Sequence, residues 1–237
     1  MRDAALIVPT RGRRKQLARF LEVNHEMRGA DVDVILSGDD DDRDTYDGMT
    51  VPAYARWYWG PRAGHGEAVN RAATLAAALY PAVGMAGDDT IPETEGGDAL
   101  LLAELEMPGM AVPVSRHRGR LPEHWFISSG IIRALGWALE PSMRHYWVDV
   151  VLHDLGNDTG CARYRDDVQL FHDQEPGQVR PEDDADADRA AYERWQRYRQ
   201  AADAATIRVV LAAPAGPADP ATAEFERYAY GKPGIRL

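Results

Sequence analysis

Five scarcities bound what this chain can be. One cysteine, Cys161, in 237 residues excludes an internal disulfide and fits a reducing, cytoplasmic setting. No apolar run approaches the roughly 18–20 residues of a membrane helix. The opening MRDAALIVPT lacks the regions of a signal peptide and reads directly as a strand. Positive charge is outnumbered, 27 Lys and Arg against 38 Asp and Glu, for a net charge of −11. That field opposes approach to a phosphate backbone, so DNA is disfavoured unless arginines cluster locally, as in RGRRK at 11–15. Finally, VPTRGRRK is a poor glycine-rich phosphate loop, which counts against nucleotidyl transfer.

What is present has the rhythm of an α/β domain. AALIVP (4–9) is a buried strand stopped by proline, and QLARFLEVNHEMRG places Leu17, Phe20 and Leu21 at helical spacing, with Gly29 as the expected stop. DVDVILSG (31–38) is a second strand that runs into Asp39–Asp42, and MTVPAYARWYW a third strand region broken by Pro52. In GHGEAVNRAATLAAALY (64–80), Val69, Ala72, Ala76 and Leu79 share a helical face, before the short strand AVGMAG. Strand, helix, strand, strand, helix, strand predicts a largely parallel sheet, whose ligands sit at the carboxyl ends of the strands. Three polar signals fall at such ends: Thr10–Arg13, Asp39–Asp42 and Asp88–Asp89.

Beyond residue 110, MAVPVSRH and EHWFISSGII read as extended, IIRALGW as a short helix, and HYWVDVVLHDLG as a helix ended by Gly156. RYRDDVQLFHD reads as one strand finishing on His172. EDDADADRAAYERWQRYRQAADAA reads as one helix with an apolar stripe of Ala191, Trp195 and Tyr198, and APAGPADPA as a linker.

The chemistry begins at Asp88–Asp89. Adjacent carboxylates at the tip of an apolar strand need bulk water or a cation to be tolerable. A solvated turn and a Mg2+ or Mn2+ site are both open readings. His172, at another strand end, completes a mixed oxygen and nitrogen site only if folding brings it to Asp89; otherwise it is a surface or core histidine. Asp149 lies on an otherwise apolar segment, either as the polar position of an amphipathic helix or as a candidate general base. Asp154, five residues on, sits roughly 140° around the helix and so off that face. The arginines of RGRRK are solvated helix-start charges, or Arg11 or Arg13 reaches a phosphate beside a helix N-terminus.

VPTRGR, SGDDDD, GHGEAVNRA, MAGDDTIP, HWFISSGII, YWVDVVLHDLG and DVQLFHD together resemble, in order and spacing over about residues 4–175, the GT-A glycosyltransferases. The likeness is to the inverting family 2-like group, especially its small phage and bacterial members. It implies a Rossmann-like nucleotide-sugar half (1–107) and an acceptor half (108–175); beyond it the residue pattern adds a C-terminal helix (176–211) and a linker-like tail (212–237).

The resemblance also assigns roles. Pro9, Thr10 and Arg11 border the nucleotide; Asp39 recognises the base; Arg62 and Asn70 approach the diphosphate and sugar; Asp88 lies near the ribose or sugar. Asp89 and His172 bind Mn2+ or Mg2+, and Asp149 is the catalytic base. Two departures stand out: Gly87 replaces the first acid of the metal motif, and Val148-Asp149 replaces a Glu-Asp pair. Transfer from a nucleotide-diphosphate sugar to an acceptor hydroxyl, with inversion, is the implied activity. The acceptor is a glycan, a protein or, least favoured by charge, a modified DNA base. Trp125, Tyr146 and Trp147 either stack on sugars or pack the core. A non-catalytic sugar- or protein-binding module on the same scaffold is the alternative from a different class.

Overall fold

The structure, a computed structural model, describes residues 2–114, 119–173 and 183–213, with 183 and 184 as backbone alone. The linker-like stretch and tail from 214 onward lie outside the described residues.

Four strands, β1 (Ala4–Pro9), β2 (Val32–Asp39), β3 (Ala55–Gly60) and β4 (Ala82–Met85), are joined by α1 (Arg14–Met27), a 3-10 turn at Asp40–Tyr46, and α2 (His65–Leu79). A short β5 (Thr90–Pro92) and α3 (Gly97–Ala103) lead to β6 (Met110–Pro113), β7 (Trp125–Ser128) and α4 (Ser129–Leu135). Then come α5 (Val148–Thr159), β8 (Ala162–Arg165), β9 (Leu170–His172), α6 (Asp183–Tyr198) and α7 (Gln200–Ala212). Among the described residues the main sheet has the order β3-β2-β1-β4-β7-β6-β8, and only β7 runs against the rest.

Alternation along the strands explains the layers. Ala5, Ile7, Ile35 and Val83 face one side with Val69, Ala72 and Ala76 of α2, Ile132, Val151, Leu155 and Trp195. Leu6, Val8, Val34 and Leu36 face the other, against Leu17, Phe20 and Leu21 of α1 and Phe126. A parallel sheet covered on both faces needs such continuous apolar strands. The chain winds outward to β3, then returns through α2 to place β4 on the far side of β1. That reversal opens a crevice at the carboxyl ends of β1 and β4.

Several boundaries differ from the sequence reading. α1 ends at Met27, and Arg28 turns extended, one residue before Gly29. α5 runs through Gly156 and stops at Gly160, whose φ of +67° suits glycine. Gly156 is there because β8 packs close: a Cβ would lie 2.7 Å from Ala162 Cβ. RYRDDVQLFHD is two strands, not one. Arg165 turns back on Asp167 (2.7 Å), so Ala162–Arg165 joins β6 while Leu170–His172 pairs antiparallel with β5 in a separate two-stranded sheet. The last predicted helix breaks at Arg199 into α6 and α7; Ala191 and Trp195 are buried, but Tyr198 is 72% exposed and outside the stripe. Trp195 Nε1 donates to Asp203 across that break (2.8 Å), and α7 packs on α4 and α5. Among the described residues no helix is long and apolar enough to cross a membrane.

Candidate active site

A cleft of about 560 Å³ opens at the carboxyl ends of β1, β2 and β4. Its walls include Pro9, Thr10 and Arg11 after β1, Asp39 at the end of β2, and Asp88 and Asp89 after β4. Asp149 from α5 and His172 from β9 face it as well. Two expected members, Arg62 and Asn70, are not among the lining residues.

The loop after β1 is built by the acidic turn beside it. Gly12 N–H donates to Asp42 Oδ2 (2.7 Å), and Tyr46 OH accepts from Arg13 N–H (3.2 Å) and bonds Thr10 Oγ1 (2.8 Å). Arg11 is drawn to Asp39 (3.0 Å) and Asp41 (2.5 Å), and Arg71 meets Asp39 from α2 (3.2 Å). Asp39 is thus buried between two guanidinium groups. Arg62 is exposed, near enough to Asp41 to help lower that carboxyl below its usual range, an effect led by the Arg11 hydrogen bond.

At the crevice, Thr10 Oγ1 donates to Asp88 Oδ2 (2.7 Å), joining the ends of β1 and β4. Arg13 bridges the acid pair, with Nη1 on Asp88 (2.7 Å) and Nη2 on Asp89 (2.8 Å). The two acids are nevertheless driven apart. Burial raises Asp88 to about 6, despite Arg13 and Thr10. Burial pushes Asp89 up too, but the His172 hydrogen bond, with the charges of His172 and Arg13, outweighs it and holds Asp89 well below the carboxylate range. His172 Nε2 lies 3.1 Å from Asp89 Oδ1, and that contact raises His172 above its ordinary value. Strand pairing makes the meeting possible: the β5–β9 register sets His172 opposite Thr90, and Asp173 N–H donates to Asp89 O (2.8 Å).

The donor set fits a hard divalent cation shared with a ligand. Asp89 offers a carboxylate oxygen and His172 a ring nitrogen within one ligand shell's reach. Among the described residues no group of three or more His, Cys, Asp or Glu is arranged to hold a metal. Gly87 fits the same picture. A Cβ there would stand 2.6 Å from Asp89 Oδ1, so any side chain at 87 would push the Asp89 carboxylate aside.

The opposite wall is residues 136–147 and the start of α5, where His145, Tyr146, Trp147 and Asp149 line the cleft. Asp149 sits in the first turn, its Oδ1 accepting from Val150 N–H (3.0 Å). Asp154 points elsewhere, accepting from Tyr192 OH (2.7 Å), as its helical angle implied. Asn70 reaches this wall from behind: its Oδ1 accepts from Ala138 and Leu139 N–H (both 2.8 Å) and its Nδ2 donates to Leu139 O (2.6 Å). Trp125 is 1% exposed and packs the core, whereas Tyr146 and Trp147 reach the cleft.

Sequence reasoning passed over His124. It is buried against Thr90 Oγ1 (3.1 Å from Nε2), edge-on to His172, and burial pushes it down to about 3, so it is neutral at physiological pH. It stood in the quoted HWFISSGII, but nothing local marks a histidine before a strand as part of a site. His65, which meets His145 edge-on (5.0 Å), was likewise unmarked.

No protein-family model matches the chain, and no curated protein matches it by sequence. Solved structures do. The mannosyltransferase PcManGT from Pyrobaculum calidifontis, in complex with GDP-Man and Mn2+, superposes with a TM-score of 0.56 at 14% identity, over 97% of this chain and 82% of that one. Glucosyl-3-phosphoglycerate synthase from Mycobacterium tuberculosis, with Mn2+, UDP-Glc and phosphoglyceric acid, gives 0.56 at 16% identity over 86% and 80%. S. aureus TarS 1-349 gives 0.53 at 11% over 70% and 60%. At these identities the likeness is one of fold, and the fold is that of the GT-A glycosyltransferases.

Proposed function

We propose that this chain is a metal-dependent glycosyltransferase, moving a sugar from a nucleotide-diphosphate donor to an acceptor hydroxyl with inversion. The observation that carries it is the convergence of Asp88 and Asp89, Asp149 and His172 on one cleft at the strand-order reversal, from three separate parts of the chain.

In this reading Asp39 recognises the base, Pro9, Thr10 and Arg11 border the nucleotide, and the exposed Arg62 approaches the diphosphate. Asp88, held by Thr10, faces the ribose or sugar. Asp89 and His172 would hold Mn2+ or Mg2+, which when bound neutralises charge developing on the leaving diphosphate. Asp149 takes the proton of the acceptor hydroxyl as its oxygen attacks the anomeric carbon. The diphosphate leaves from the opposite face with the bonding electron pair, so the centre inverts. Tyr146 and Trp147 offer ring faces to a sugar. A glycan or a protein is the favoured acceptor, and the single buried cysteine accords with a cytoplasmic setting. The Asn70 amide is engaged by the 138–139 backbone, so its support for the donor is through that wall rather than by contact.

One observation favours a second reading. Arg13 already compensates both acids, as a permanent cation would in a non-catalytic sugar-binding module. A thermal-shift panel of UDP-, GDP-, dTDP- and CMP-sugars, with and without Mn2+, separates the two. Stabilisation by one nucleotide, dependent on Mn2+ and lost in Asp89→Asn, is the outcome expected of the transferase. Metal-independent stabilisation without donor turnover would establish the binding module instead.

A further inference from the structure

We propose that Asp188, on the C-terminal helix α6, is a positioning residue that aims Asp149 and shapes the wall beside it. The inference rests on the proposed transferase reading for its catalytic consequence, but its structural half stands alone.

Residues 136–147 join α4 to α5 without belonging to a helix or strand, so their backbone N–H groups need partners from elsewhere. Arg144 N–H donates to Asp188 Oδ1, and His145 and Tyr146 N–H both donate to Asp188 Oδ2, each at 2.8 Å. Three successive amides converging on one carboxylate form an anion-binding nest, here filled by a side chain of the protein itself. Asp188 is 2% exposed, so water cannot replace it without a large rearrangement. From the other side, Gly66 N–H at the start of α2 donates to Arg144 O (2.9 Å).

The next residue shows what the clamp sustains. Trp147 has φ +69° and ψ −6°, the only positive φ outside glycine among the described residues. The left-handed region is disfavoured for any residue carrying a Cβ, and persists only where the surroundings over-determine it. α6 supplies both restraints. Asp188 fixes the backbone up to Tyr146, and Tyr192, one turn further along, stacks on the Trp147 ring (centroids 5.0 Å apart, 25° between planes) while its hydroxyl bonds Asp154 of α5. Trp147 is the N-cap of α5, and its carbonyl accepts from Val151 N–H (3.0 Å). Its dihedral angles therefore set the heading of the first helical turn, where Asp149 stands. The same segment presents His145, Tyr146 and Trp147 to the cleft. α6 lies beyond the stretch of sequence that carries the family resemblance, yet it holds one wall of the site.

The test compares Asp188→Asn with Asp203→Asn, which takes the charge from the partner of Trp195 Nε1 in the same helical pair but touches nothing on the 144–147 segment. Hydrogen exchange is read at the amides of Arg144, His145 and Tyr146. Release of nucleoside diphosphate is read from UDP-glucose and GDP-mannose with Mn2+. In Asp188→Asn these amides lose protection and kcat falls about ten- to a hundredfold, the scale of a small misplacement of a reacting group, while the donor's KM stays within about twofold. Asp203→Asn keeps the protection and kcat.

Unchanged exchange in Asp188→Asn overturns the proposal whatever the activity. Equal loss of kcat in both variants also overturns it, because the effect would then be general loosening of the helices. If wild type turns over no sugar of the UDP-, GDP-, dTDP- and CMP-linked panel with Mn2+ while the amides behave as described, the transferase reading is what fails and the clamp stands. Should Asp188→Asn not fold, wild-type exchange decides: the three amides must open only with global unfolding, and fast exchange at them overturns the clamp.

Discussion

The sheet edge and the wall facing it make one cleft by different means. On the sheet edge, Thr10, Asp39, Asp88 and Asp89 stand where strands end, and each contact is a short step from a ladder whose register fixes it. In the wall, residues 136–147 have no ladder. Asn70 holds Ala138 and Leu139, Glu140 holds Ser142 through N–H (2.8 Å) and hydroxyl (2.5 Å), and Asp188 holds 144–146. A regular scaffold places charged groups cheaply, because its backbone is already satisfied. An irregular one needs a buried polar side chain for nearly every turn it makes. Families sharing a sheet can therefore keep one edge and vary the other wall, where an acceptor would bind.

The contrast can be broken at several points. The largest expected effect is that of Asp149→Asn, which removes the proposed base without touching the sheet edge. Turnover should fall by about 10²–10⁴-fold while stabilisation by donor and Mn2+ is unchanged; retained turnover would place the base elsewhere. Asn70→Ala comes next. Leaving the 138–139 backbone without its partner should cost about 1–3 kcal/mol in urea unfolding, with donor affinity nearly intact. Lost donor affinity at unchanged stability would instead make Asn70 a donor ligand, as the family resemblance implies.

Gly87→Ala probes the sheet edge itself. The added methyl should crowd Asp89 and weaken Mn2+ binding, titrated calorimetrically in the presence of UDP or GDP, by about tenfold. Stability should change little. Unaltered Mn2+ affinity would mean that Asp89 Oδ1 is not a ligand.

The smallest effect concerns His124. Burial depresses it from an ordinary value of 6.5 to about 3. In that window the unfolded chain binds a proton that the folded one refuses. Its contribution is therefore fully present above pH 6.5 and is lost progressively as pH falls toward 3. His124→Asn should flatten the dependence of the unfolding midpoint on pH between about 6.5 and 4, and an unchanged slope would show that other groups carry it.

The elements that were legible in advance are those with a period. The strand at 4–9, the α1 stripe of Leu17, Phe20 and Leu21, and the α2 face with Val69, Ala72 and Ala76 follow from local spacing, and their buried sides are as expected. Leu79, at the end of that face, is only half-buried. Where the period is interrupted by a turn, legibility stops. DDVQ hid the division of β8 from β9, and the long charged helix hid its break at Arg199. Thr10, Asp39 and Asp88 were visible as polar residues at strand tips, because apolar strands must end somewhere and charge at the tip marks where. Asp149 was visible as a charge in an apolar helix.

Arg13 on both acids, His172 against Asp89, and Asp188 beneath the cleft wall are of another kind. Each joins residues separated by 40 or more positions, and no local pattern encodes such a partner. The carboxylates announced themselves by composition and place. Which cation or amide each one meets was settled by the reversal of strand order at β1 and β4, the β5–β9 register and the docking of α6, since a charge leaving water takes whatever compensating group the packed chain brings within reach.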